Sequence, residues 1–192
     1  MLKFDELKKS ILKCRECEEK FGFKPNPVVH GKAKTKIFQI SQAPSKNVHM
    51  TGKPFTDASG KKLVEQWYGI SYDKFYNEDN FYITALAHCF PGKTKSGGDR
   101  LPPSVCTKKG LIKEMDVVEK ELYIVIGSRA AKFLFPNVDF KELVMNTYKL
   151  GDIDVIVLTH PSPLNIKWFK DNPEFYDYRL EEIRQRVKAT II

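Results

Sequence analysis

The chain lacks any apolar run of the roughly 18 residues that a membrane span requires, so no spanning segment is expected among its 192 residues. It also lacks a signal-peptide block, because Met1 to Lys13 alternates charged with apolar residues. Internal repeats and low-complexity linkers are missing, which leaves one domain over residues 1–192 as the expected organisation. Cysteine is scarce, four in all. In a cytosolic chain these are expected as thiols rather than disulfides. Together the absences point to a cytoplasmic protein with no membrane partner.

What is present describes a globular chain. Hydrophobic residues make up 42% and charges are scattered, enough to bury one sizeable core. The formal net charge is +8, spread along the chain rather than gathered in a tail. Such a field favours a polyanion, because neutralising phosphates releases condensed counterions. A merely basic surface accounts for the charge equally well.

Apolar spacing at Phe4, Leu7, Ile11 and Leu12 predicts an N-terminal helix. Phe23 to Lys36 reads as loop, Ile37 to Ser41 as a buried strand, and Gln42 to Asp57 as a long loop. Ser59 is the expected N-cap of a helix through Leu63, Val64 and Trp67. Further strands are expected at Phe81 to Leu86, Leu122 to Ile126 and Val155 to Leu158, with helices over Ser104 to Lys120, after Gly127, and from about Pro173 to Ala189. Short apolar strands alternating with helices indicate an α/β fold: three layers, α/β/α, around a central, mainly parallel four-stranded sheet. Ligands of such sheets bind beyond the carboxyl ends of the strands. Three polar segments fall there: Ser41 to Phe55, the stretch after Ala85, and Thr159 to Asn165.

Cys14 and Cys17 form a CxxC pair, and Cys89 and Cys106 flank a loop after the second strand. Four thiolates suit zinc or an iron–sulfur cluster, and the spacing does not choose between them. Cys89 and Cys106 also fit as ordinary buried thiols. The polar segments read Gln42-Ala43-Pro44-Ser45, then Thr51-Gly52-Lys53-Pro54-Phe55-Thr56-Asp57, and finally His160-Pro161-Ser162-Pro163-Leu164-Asn165. Each taken singly is also a proline-containing turn, and a lone strand-end histidine is often structural.

In this order, the motifs resemble the uracil-DNA glycosylase superfamily, in particular its iron–sulfur branches, families 4 and 5. The resemblance runs from Cys14 to about Asn165. It implies a DNA glycosylase of base-excision repair that flips a deaminated base, uracil first, and hydrolyses its N-glycosidic bond. It also implies a 4Fe-4S cluster on Cys14, Cys17, Cys89 and Cys106, and a monomer acting on damaged DNA, at the nucleoid in a prokaryote. His160 matches the histidine that donates to the leaving base, Phe55 the aromatic that stacks on it, and Leu164 the wedge that fills its place. Gln42 and Ala43 match the segment facing sugar and water; Ser162 and Asn165 belong to the same terminal motif as His160.

Three departures stand out. Gln42 replaces a glutamate of family 4, and Ala43 the aspartate of the classical enzymes; family 5 also lacks a carboxylate there and is implicated in using an aspartate of the following segment, a part that the resemblance gives to Asp57, with His49 and Asn47 as weaker candidates. Ala85 replaces an asparagine that reads the uracil edge. The loop Pro91 to Pro103 matches only loosely, with Asp99-Arg100 in place of an asparagine–cation pair and Lys93, Lys95 and Arg100 expected on phosphates. The alternatives are a catalytically inert relative that binds damaged DNA, or a zinc-stabilised nucleic-acid-binding protein.

Overall fold

The computed structural model describes residues 3–192, except the side chains of Lys20 and Phe21; Met1 and Leu2 of the charged N-terminal stretch lie outside the described residues. Five strands form one sheet: β1 (Ile37–Ser41), β2 (Phe81–Ala85), β3 (Leu122–Ile126), β4 (Thr147–Leu150) and β5 (Ile153–Leu158). Their order is β2-β1-β3-β5-β4, parallel throughout except that β4 runs antiparallel to β5. The four expected strands are all present, and β2 stops one residue earlier than expected, at Ala85. The fifth, β4, is a half-exposed edge strand (Thr-Tyr-Lys-Leu) with no apolar run to announce it. It reaches β5 through the two-residue turn Gly151-Asp152, where Gly151 takes φ 62, a conformation glycine adopts without a Cβ clash.

β1, β2 and β3 are buried almost end to end, as strands covered on both faces must be. Phe38 of β1 stacks on Tyr82 of β2 at 5.0 Å between ring centres. On the other side, Tyr68, Phe75 and Phe81 join rings, and Trp67 packs against Phe169 and Phe175. The N-terminal helix, Phe4–Leu12, buries Leu7 and Ile11. No helix among the described residues is long and apolar enough to cross a membrane.

Two local expectations change. The stretch from Gln42 to Asp57 is not all loop, since it holds the helix Lys46–Thr51, capped by Ser45, whose Oγ accepts the Val48 N–H. The next helix begins at Ala58, and its cap is Asp57, not Ser59: Asp57 Oδ1 accepts the Gly60 N–H at 3.0 Å. A carboxylate is a strong cap, and here it sits two residues earlier than the apolar pattern suggests.

The chain visits β2 on one side of β1 and then crosses to β3 on the other. This reversal places a crevice beyond the carboxyl ends of the central strands. β1 and β2 are stapled past their ends, with Leu86 N–H donating to Ser41 O and Ala87 N–H to Gln42 O.

Candidate functional site

A cleft of about 240 Å³ opens at that edge. Its floor is made by Ser41, Thr84 and Ala85, and its walls include Gln42, Ala43, Phe55, Asp57 and His160. Strand ends and three separate loops therefore meet at one place.

The Phe55 wall is held under strain. Phe55 is the one described non-glycine residue with positive φ, 58°, in the left-handed region that side chains avoid. Its surroundings enforce this conformation. The Tyr76 hydroxyl donates to Pro54 O at 2.6 Å, the Tyr72 hydroxyl to Phe55 O at 3.4 Å, and Phe75 meets the Phe55 ring edge-to-face at 5.9 Å. Gly60 lies so close that a Cβ there would stand 1.9 Å from Phe55 O.

Opposite, His160 follows the buried end of β5. Its Nδ1 accepts the Ser162 N–H at 3.2 Å, so that nitrogen carries no proton and the neutral ring bears its hydrogen on Nε2. Ser162 Oγ accepts the Leu164 N–H, and Asn165 donates its side-chain amide to His160 O at 2.6 Å. Ser162 and Asn165 thus build the turn that aims His160, and neither lines the cleft. His160 is exposed at the mouth, yet the protein around its ring holds its pKa below the ordinary 6.5, with Asp57 only partly offsetting that loss of solvation. Leu164 projects from the same turn, 92% exposed.

A second cavity, about 350 Å³, is lined by Cys14, Cys17, Cys89 and Cys106. None is in a disulfide. Burial pushes the Cys89 thiol up to about 12, and the charges of Cys106, Cys17 and Cys14 add to the shift. Ile11, Pro25 and Pro27 supply apolar wall, while Arg15, Lys109 and Lys113 bring positive charge to a set of thiols that repel one another when ionised. Among the described residues, no three His, Cys, Asp or Glu are grouped so as to hold a single metal ion.

The model of the uracil-DNA glycosylase superfamily matches residues 28–184 of the chain, spanning the cleft, Cys89 and Cys106. The chain belongs to that superfamily. It is similar to the type-4 uracil-DNA glycosylase of Archaeoglobus fulgidus, 26% identical over 176 residues that cover 84% of this chain and 83% of the relative. It is also similar to the type-4 uracil-DNA glycosylase of Saccharolobus solfataricus, 24% identical over 141 residues, 71% of this chain and 61% of that protein.

Within this glycosylase-superfamily chain, the fold brings Gln42, Ala43, Phe55, Asp57, Ala85 and His160 to one cleft, and leaves Ser162, Leu164 and Asn165 on the adjoining turn. Asn47 and His49 are not among the lining residues: Asn47 donates to the Thr56 hydroxyl and His49 rests near Phe90. Thr84 lines the cleft as well, unannounced by any motif although it stands at the end of β2, where the topology puts a ligand. In the loop Pro91 to Pro103, Lys93 pairs with Asp99 at 2.6 Å, and Asp99 reaches the cleft wall.

Proposed function

We propose that this superfamily member is a monofunctional DNA glycosylase of base-excision repair, which flips a deaminated base, uracil first, and hydrolyses its N-glycosidic bond. The observation that carries this reading is the convergence of an aromatic platform (Phe55), a neutral histidine donor (His160) and a carboxylate (Asp57) on one cleft. At about 240 Å³ the cleft is below the roughly 300 Å³ where pockets for drug-sized ligands begin, a size that suits a single base. Both relatives are type-4 uracil-DNA glycosylases, which supports uracil as the first substrate to try.

A base inside a duplex is out of reach, so extrusion comes first and costs a few kcal/mol of unstacking. Phe55 offers a rigid face for the extruded ring, and the exposed Leu164 enters the gap it leaves. As the C1′–N bond breaks, its electron pair passes to the base and positive charge grows on the sugar. The His160 Nε2–H donates to the oxygen where the negative charge gathers. Asp57, with Oδ1 engaged at the Gly60 N–H, faces the cationic sugar and orients water toward C1′. Gln42, whose carbonyl accepts the Ala87 N–H, and the adjoining Ala43 border the sugar. Ala85 gives the floor no amide to read a base edge.

The four cysteines fit a 4Fe-4S cluster: four thiols, apolar walls and nearby cations around one cavity. Such a cluster would supply structure, joining the N-terminal CxxC to the segment after β2. Purified protein is expected to contain iron and sulfide, and Cys89→Ser to lose both and to melt at lower temperature. Stoichiometric zinc with no iron would reject the assignment.

Base release from oligonucleotides carrying uracil, hypoxanthine or xanthine tests the activity. Release of none of the three would overturn it, and tight binding of damaged DNA without turnover would identify the inert alternative motivated by Gln42 and Ala43.

The rate should also report the state of His160. Because the ring is held below 6.5 it is mainly neutral at pH 7, and protonation would set a hydrogen on Nδ1 against the Ser162 N–H that it now accepts, so activity is expected to fall as the pH drops below 6.5. His160→Asn should remove that acid limb. Stability follows the same sign: the unfolded chain takes up the proton first, so native stability declines as pH falls through 6.5.

A further inference from the structure

Beneath the cysteine cavity lies a buried polar chain that meets the base cleft only at Thr84 and otherwise runs toward the thiols. Glu114, on the helix Ile112–Val117, is completely buried. Its Oε1 accepts the Tyr82 hydroxyl at 2.8 Å and its Oε2 the Thr84 hydroxyl at 2.9 Å. The same Oε2 lies 2.9 Å from His88 Nε2, and Thr84 Oγ1 is 3.2 Å from that nitrogen. The other face of the His88 ring system points at a cysteine: Nδ1 is 3.3 Å from Cys106 Sγ, and the His88 backbone N–H donates to that sulfur at 3.2 Å. Gly110 packs against the ring so tightly that a Cβ there would stand 2.2 Å from His88 Cε1. The imidazole is fixed at both nitrogens and on its edge.

A fully buried carboxylate is costly unless every lone pair is answered, and apolar residues of similar shape usually serve a core better. Here the carboxylate is answered by two hydroxyls and by the Nε2–H of His88, whose ring as an imidazolium keeps a second N–H, on Nδ1, for the sulfur. Its evident product is the orientation of a single ring nitrogen toward sulfur. Hydrogen bonds to ligating sulfur are a recognised means by which proteins tune and retain iron–sulfur centres, and the outer partners that orient them matter nearly as much as the ligands.

We propose that His88, anchored by Glu114, is a positioning residue of the cluster site, donating Nδ1–H to Cys106 Sγ and so withdrawing charge from that ligand. The proposal rests on the cluster assignment above. Neither residue stands out in the sequence. His88 merely precedes Cys89, and Glu114 looks like one more charge on a mixed helix.

The test uses the full chain with its native metal content. Iron and sulfide are measured on the wild type first; their absence sinks the cluster assignment and this proposal together. On iron-loaded protein, resonance Raman bands of the iron–cysteine stretch are compared in H2O and D2O, and retention of iron is followed against a chelator. His88→Leu is expected to shrink the deuterium shift and to weaken retention about 10- to 100-fold. His88→Asn, which keeps an N–H donor near the Nδ1 position, should recover much of both, and Glu114→Gln should fall between. If His88→Leu does not load, the Asn and Gln variants carry the comparison. A wild-type deuterium shift and wild-type retention in the loaded variants would overturn the role of His88 while leaving the cluster in place.

Discussion

His160→Ala is expected to slow base release by about two to three orders of magnitude, the usual cost of deleting one donor aimed at developing charge. The size follows from the position of the ring. Its Nδ1 is occupied by the Ser162 N–H, so the only hydrogen the ring can offer is on Nε2. The substitution removes that donor without dismantling the turn, because the Asn165 amide is bonded to the His160 backbone carbonyl, which alanine keeps. Single-turnover release from a uracil-containing oligonucleotide, with substrate affinity measured separately, isolates the chemical step. A variant that binds as before but cleaves at the wild-type rate would remove His160 from the chemistry.

Gly60→Ala should damage both stability and activity, although a single methyl is added outside the reacting atoms. The new Cβ would meet Phe55 backbone at 1.9 Å from O and 2.8 Å from Cα, and backbone cannot swing aside as a side-chain tip can. Overpacking of this kind typically costs 1–3 kcal/mol. Phe55 is the residue that must move, and it already sits at φ 58 under the hold of Tyr72 and Tyr76. Weaker substrate binding is therefore expected together with a lower melting temperature. Gly98→Ala is the control, because the nearest atom to its added Cβ is a side-chain oxygen 3.7 Å away. Equal behaviour of the two variants would show that the Phe55 loop tolerates displacement.

The parts of the fold legible in the sequence are those where one strong pattern dominates. β3 is five apolar residues closed by a glycine, and β5 ends in Val-Ile-Val-Leu before Thr159 and His160; both runs signal burial on two faces. β4 is silent because an edge strand needs only alternate residues covered. The helix Phe140–Met145 went unread although Asp139, which caps the Lys141 and Glu142 N–H groups, precedes it. The cleft was legible where motifs sit at strand ends, as with Gln42 and His160. The left-handed turn at Phe55 was not, because it is imposed by Gly60 and two tyrosine hydroxyls that come from later in the chain. Glu114 was hidden for the same reason: its partners Tyr82, Thr84 and His88 belong to a different element.

The segment that leaves β2 runs from the cleft to the thiol cavity. Ala85 floors the base cleft and Cys89 faces the thiol cavity, four residues further on, at most about 14 Å of chain. Leu86 and Ala87 between them are clamped by Ser41 O, Gln42 O and the Thr107 hydroxyl. The connection behaves as a short, stiff strut rather than a hinge. Loosening at the cysteine end is therefore expected to reach the pocket floor, and a chain with an injured thiol site should lose base release before it loses its fold.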